Sequence, residues 1–214
     1  MENISKIESI NILPGVSILS VLQRLNYKAW FAMAEFVDNS IQSFVQYQNE
    51  LKQAENGGFK LKVEIEIDSN DDGRITIRDN AAGIRKVDYA RAFRPAAIPP
   101  DRSGLSEYGM GMKSAASWFA GNWSVRTSAL DEPVERIITF DINTIVRDDL
   151  EELKVEERPI DPKAHFTEII LTKLHRTPQK NTVKKIKEHL ASIYRIFIRD
   201  GSLILTYNLS LIHI

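Results

Sequence analysis

The sequence predicts a two-layer α+β sandwich, a mixed and mostly antiparallel sheet covered on one face by helices. Three observations predict it. Apolar residues recur at helical spacing through 30–45, and two alternating runs at 59–67 and 75–77 read as strands joined by a tight turn. The remaining strands and helices are grouped before, between and after one another rather than strictly alternated. With 214 residues, of which 43% are hydrophobic, the chain is long and apolar enough to bury the core of one domain.

Residues 17–54 read as helix with a break around Asn26. In the second half Trp30, Ala34, Val37, Ile41, Phe44 and Val45 form one apolar stripe, and Gly57-Gly58 stop it. Phe59, Leu61, Val63, Ile65 and Ile67 then share a strand face. After the Asn70-Asp71-Asp72-Gly73 turn, Ile75 and Ile77 do the same, which predicts a hairpin. The stretch RPAAIPPDRSGLSEY has three prolines, a glycine and no period, so it reads as a long loop. A short helix is predicted from about Met112 to Ala120, with strands near 122–129, 134–142 and 166–173. The acidic run DDLEELKVEERPIDP reads as a surface excursion, residues 180–198 as a helix and SLILTYN as a last strand.

Composition excludes several chemistries. There are no cysteines, which removes disulfides, thiolate nucleophiles and cysteine-ligated zinc. His165, His175, His189 and His213 show no HExxH-type spacing. The N-terminus lacks a basic segment followed by an apolar run, and no apolar stretch approaches the roughly 18 residues of a membrane span. These features predict an intracellular, cytoplasmic protein with no membrane partner. The net charge of −1 demands no polyanion, and the cluster Lys173, His175, Arg176, Lys180, Lys184, Lys185, Lys187 reads as a solvated helix face.

Four segments carry candidate chemistry. Asp79 follows Ile75 and Ile77 on the apolar side of its strand, where a carboxylate is costly unless satisfied. Taken alone it is more readily a turn-forming Asp, since Asp-Asn before glycine is ordinary turn chemistry. A buried acceptor at a strand end, followed by Gly83, could equally receive the exocyclic amine of adenine. Glu35 and Asn39 lie one helical turn apart, roughly opposite the apolar stripe with Gln42 and Gln46, and by default such a pair is solvated. Functionally, a Glu there could orient and deprotonate a water while an Asn oxygen binds Mg²⁺. Asp38 beside them could pack, pair or tune. In YGMGMKS, Gly109, Met110, Gly111, Met112 and Lys113 bring a flexible loop to a helix N-terminus, whose free N–H groups suit phosphate, and Lys113 adds a mobile positive charge. The segment is not a Walker A loop, because Met112 rather than Gly precedes the lysine. A flexible loop entering a helix explains it about equally well. Thr167 opens an apolar strand, and its hydroxyl could bond an adenine edge or a water beside Asp79. Alone it is simply a good strand former.

In this order the four segments resemble the GHKL ATPase superfamily of type II topoisomerases, MutL, heat-shock chaperone ATPases, histidine kinases and MORC proteins. AEFVDNS resembles its N-box, DNAAG and YGMGMKS its two glycine boxes, and Thr167 its last box. The likeness spans most of the chain. AEFVDNS, GMGMKSAA and IYRIFIRDGSLILTYN look nearest to the MORC-like branch. The resemblance implies a Bergerat fold that binds ATP with Mg²⁺. It makes Glu35 the general base, Asn39 the Mg²⁺ ligand, and Asp79 with Gly83 and Thr167 the adenine site. Gly109 to Lys113 would hold the phosphates under a lid between about 93 and 110. It further implies an ATP-binding domain over 1–200, with 201–214 opening a truncated transducer-like domain whose lysine reaches the γ-phosphate. The expected behaviour is slow hydrolysis gating a conformational change and ATP-dependent homodimerisation. A DNA or chromatin-type partner is implied by resemblance only. Ala81 and Phe166 stand where the family commonly has glycine, which leaves open a non-catalytic nucleotide-binding or scaffold module. A histidine-kinase catalytic domain shares the pocket but needs a phospho-accepting histidine on a long N-terminal helix, and the sequence has none.

Overall fold

The computed structural model describes residues 15–94 and 110–212. Its helices are α1 (Ile18–Leu22), α2 (Ala29–Gln46), α3 (Gln48–Ala54), α4 (Tyr89–Phe93), α5 (Gly111–Phe119), α6 (Ile142–Arg147), α7 (Lys180–Ile193) and α8 (Arg195–Arg199). Its strands are β1 (Leu61–Asp68), β2 (Arg74–Asp79), β3 (Ala120–Ser128), β4 (Val134–Asp141), β5 (Val155–Pro159), β6 (Phe166–Leu174), β7 (Leu203–Tyr207) and β8 (Ser210–Leu211). The strands form one sheet in the order β5-β4-β3-β6-β2-β1-β7-β8. Every pairing is antiparallel except β1 with β7. This is the mixed, mostly antiparallel α+β sandwich that the sequence predicts.

Period-two alternation drives the sheet. In β1 every second residue is buried, and Leu61, Val63, Ile65 and Ile67 face the same core as Ile75, Ile77, Trp123, Val125, Ile169, Leu171, Leu203 and Leu205. α2, α5 and α7 pack against that core. The register sets Glu64 opposite Arg78, Arg78 opposite Glu168 and Glu168 opposite Arg126. The other face thus carries a ladder of alternating charge that suits solvent. The turn between β1 and β2 closes with Gly73 N–H on the Asn70 carbonyl at 2.9 Å, Asp71 and Gly73 both taking positive φ.

The structure departs from the sequence reading in several places. The stripe on α2 ends at Phe44, since Val45 is 59% exposed and the face instead takes in Met33, Phe36 and Ser40. The acidic excursion holds a strand: β5 pairs with β4 although all five of its residues are exposed, so no apolar alternation announced it. α6 was unforeseen too; Asp141 caps it by accepting the Thr144 N–H at 3.1 Å. The helix read over 180–198 divides at Tyr194 into α7 and α8. Residues after 200 form β7 and β8, which pair into this same sheet. The lid expected between about 93 and 110 falls almost wholly on 95–109, outside the described residues, as does Gly109.

Candidate functional site

A cleft of about 950 Å³, counting its open mouth, lies between the inner face of α2, the ends of β2 and β6, α4 and the start of α5. Seven of the residues singled out above line it: Asn39, Asp79, Gly83, Gly111, Met112, Lys113 and Thr167. Phe36, Ile77, Ile84 and Ile169 supply apolar walls. A largely apolar cleft with a few converging polar groups is the usual form of a ligand site.

Asp79 ends β2 at its register partner Thr167 and is 8% exposed. Its Oδ2 accepts the Ser40 hydroxyl at 2.7 Å, its Oδ1 accepts the Ala81 N–H at 2.9 Å, and a backbone hydrogen bond comes from Thr167. Burial pushes the carboxyl up, these donors and the nearby His165 offset part of that, and the net value is about 6. The group is thus ionised at neutral pH. Its lone pairs are not exhausted by the protein, so it can accept from a ligand's amine.

The turn after Asp79 is held by β3. A β-carbon at Gly83, whose φ is +70°, would overlap the Ser128 carbonyl oxygen, so no side chain fits there. The Ile84 N–H donates to Thr127 Oγ at 2.9 Å, and that hydroxyl donates to the Phe166 carbonyl at 2.9 Å. Thr127 Oγ also lies 3.4 Å from Thr167 Oγ. Ala81 is buried, takes no positive φ and is not among the cleft's lining residues. Its methyl therefore neither strains the turn nor crowds the pocket. Phe166 points to the other face, where Arg78 and Arg126 lie over its ring.

On α2, Asn39 Nδ2 donates to the Glu35 carbonyl at 2.7 Å, which leaves Oδ1 as the atom available to a ligand. Glu35 itself does not line the cleft; its carboxylate lies against Gly111, which does, and a β-carbon there would overlap Oε2. The glycine expected to admit a ligand thus admits a carboxylate. Glu35 Oε1 accepts the Tyr27 hydroxyl at 3.2 Å. Burial raises the Glu35 pKa, the Tyr27 bond lowers it and Asp38 raises it. Asp38 turns away from the cleft to accept the Tyr194 hydroxyl at 2.7 Å.

α5 begins at Gly111 after Met110, whose side chain makes no cap, so its first N–H groups have no partner within the helix. Lys113 differs from expectation. Rather than a mobile charge, it is 1% exposed, and its Nζ donates to the carbonyls of Ala92 at 2.8 Å and Arg91 at 3.2 Å. Burial, and then the charge of Arg91, lower its pKa to about 8. It ties the last turn of α4 to the first turn of α5 across the base of the cleft.

Sequence reasoning missed Tyr27, Ser40 and Thr127. Ser40 carried a signal, since it sits next to Asn39 on the face that turns toward β2. Tyr27 and Thr127 carried none, because their partners are distant in sequence or are backbone atoms. Among the described residues no group of three or more His, Cys, Asp or Glu side chains could hold a metal ion. No helix among them is long and apolar enough to cross a membrane.

Residues 27–177 match the family model of the histidine kinase-, DNA gyrase B- and HSP90-like ATPases. No curated protein sequence matches the chain.

Proposed function

The chain belongs to the histidine kinase-, DNA gyrase B- and HSP90-like ATPase family, and from that premise we propose that it binds Mg·ATP in the cleft below α2 and hydrolyses it slowly. ATP binding and ATPase-type function are family properties. The assignment of individual residues rests on the site's geometry, above all on one observation: a buried Asp79 carboxyl lining the cleft beside a helix N-terminus.

In this reading Asp79 accepts the exocyclic amine of adenine, with Thr167 alongside and Gly83 keeping the turn close to β3. The first N–H groups of α5, on Gly111, Met112 and Lys113, receive the phosphates, with Met110 and Gly109 preceding them. Asn39 Oδ1 is one ligand for Mg²⁺. Such an ion arrives with the nucleotide, since Mg²⁺ keeps waters and phosphate oxygens and needs few protein ligands. When bound, the ion neutralises phosphate charge. Glu35 takes the proton from a water whose oxygen bonds to the γ-phosphorus as the bond to the ADP oxygen breaks. Its raised pKa makes it a stronger base than an exposed Glu. Nucleotide binding favours a homodimer, through differential affinity for the two states. A further domain that brings its own lysine to the γ-phosphate would raise turnover; a MORC-like role with DNA or chromatin stays at the level of resemblance.

The test is Mg·ATP affinity and turnover in wild type, Asp79→Asn and Glu35→Gln. The reading expects binding lost in the first variant, and binding kept with turnover lost in the second. Wild-type protein that fails to bind Mg·ATP overturns it and leaves a non-catalytic module.

A further inference from the structure

Glu35 is held from two sides by groups that the nucleotide does not supply. Gly111 lies against Oε2 so closely that a methyl would overlap it, and the Tyr27 hydroxyl donates to Oε1 at 3.2 Å. Tyr27 precedes α2, eight residues before Glu35, and is only partly buried. Its ring packs against that of Trp118, tilted by 46°. The Trp118 ring lies 6.2 Å from it, and Trp118 Nε1 donates to the Leu25 carbonyl at 2.9 Å, two residues before Tyr27. Arg176 lies over Trp118. Its guanidinium lies 4.6 Å from the Trp118 ring centroid and donates to the Trp118 carbonyl at 2.7 Å. The chain of contacts Arg176, Trp118, Tyr27, Glu35 joins the end of β6, α5 and the start of α2 at one carboxylate.

We propose that Tyr27 is a positioning residue for the hydrolytic step: its hydroxyl holds Glu35 Oε1 so that Oε2, beside Gly111, faces the attacking water. The inference rests on the assignment of Glu35 as the base. A carboxylate on a flexible side chain samples several rotamers, and a donor held by a tilted aromatic pair selects one without touching substrate. The 3.2 Å separation is longer than the optimum for O–H···O, as hydrogen bonds of unliganded sites often are before the complex tightens them. The phenol keeps its proton at neutral pH: burial first, then the charge of Glu35, pushes its pKa up to about 12. Tyr27 therefore donates here and is no base itself.

The experiment is single-turnover hydrolysis and Mg·ATP affinity in wild type, Tyr27→Phe, Glu35→Gln and the double variant. A fifth protein carries p-aminophenylalanine at position 27, which returns a donor to the same ring. The expected result is a turnover loss of about tenfold to a hundredfold in Tyr27→Phe, the range for one hydrogen bond to a charged group, with affinity unchanged within twofold. Turnover should recover with p-aminophenylalanine, and the double variant should be no slower than Glu35→Gln alone. Equal loss in the phenylalanine and aminophenylalanine proteins, an additive double variant, or unchanged turnover in Tyr27→Phe overturns the inference. So does a Tyr27→Phe protein that fails to fold, which would assign the hydroxyl to stability. A Glu35→Gln protein that still turns over sinks the underlying assignment instead, so the two failures are distinguishable.

Discussion

At the scale of the residue, the site depends on groups held where they are costly. Asp79 is raised from 3.8 to about 6 by burial, worth about 3 kcal/mol of pH-dependent free energy. Its folded pKa lies above its unfolded value, so the folded state binds the extra proton. The associated stability is present below about 4 and is lost as pH rises through about 6. Asp79→Asn should therefore gain stability relative to wild type between pH 4 and pH 7, checked by denaturant unfolding at both. The ligand dependence runs the other way. Accepting an amine requires the carboxylate, so adenine-nucleotide affinity of the wild type should fall as pH drops through about 6, when titrated calorimetrically. The two glycines separate by kind. Gly83→Ala meets fixed backbone at positive φ and should cost about 2 kcal/mol or more, read as a lowered melting temperature. Gly111→Ala meets the movable end of Glu35 and should cost turnover before it costs stability.

At the scale of the element, α2 serves two faces at once. Met33, Phe36, Val37 and Ile41 are 0–1% exposed against the sheet, while Asn39, Ser40 and Ser43 border the cleft. Its orientation is set by α7 as well, through Tyr194 at the break before α8. The Tyr194 hydroxyl meets the Ala34 carbonyl at 3.0 Å and Asp38 at 2.7 Å. Tyr194→Phe leaves a half-buried carboxylate without its donor and should destabilise the fold by about 1–3 kcal/mol, measured by chemical denaturation. Ile41→Ala, which opens a cavity under the same helix, should cost about 2–5 kcal/mol. Elements also show where sequence patterns succeed. α2, β1 and β2 were legible because one face of each is buried along its whole length. β5 was not, because an edge strand with every residue exposed is held by backbone pairing alone, which leaves no mark on composition.

At the scale of the whole molecule, a nucleotide that binds the folded chain and not the unfolded one stabilises it by mass action. Saturation at a hundredfold over Kd gives about 2.7 kcal/mol, or about 5–10 °C for a chain of this size. Mg·ATP should raise the melting temperature of wild type by that order, and of Asp79→Asn by little, in a thermal-shift measurement. If nucleotide also promotes pairing of two copies, mass by light scattering should rise with Mg·ATP and depend on protein concentration. An unchanged mass in saturating nucleotide would remove dimerisation from the proposed function.

The sequence by itself determined the alternation that builds the central sheet, the break before α2, and seven of the residues that line the cleft. Those signals survive because periodicity and motif spacing are local, and local chemistry is written in neighbouring letters. Only the tertiary structure decided which face of α2 meets β2, so that Ser40 reaches Asp79. It also decided that Gly111 accommodates Glu35, that Lys113 is buried on the carbonyls of Arg91 and Ala92, and that Tyr27, packed against Trp118 under Arg176, donates to the Glu35 carboxylate. Each of these depends on atoms brought together by packing from distant parts of the chain. Their energies come from burial and geometry that no single segment carries.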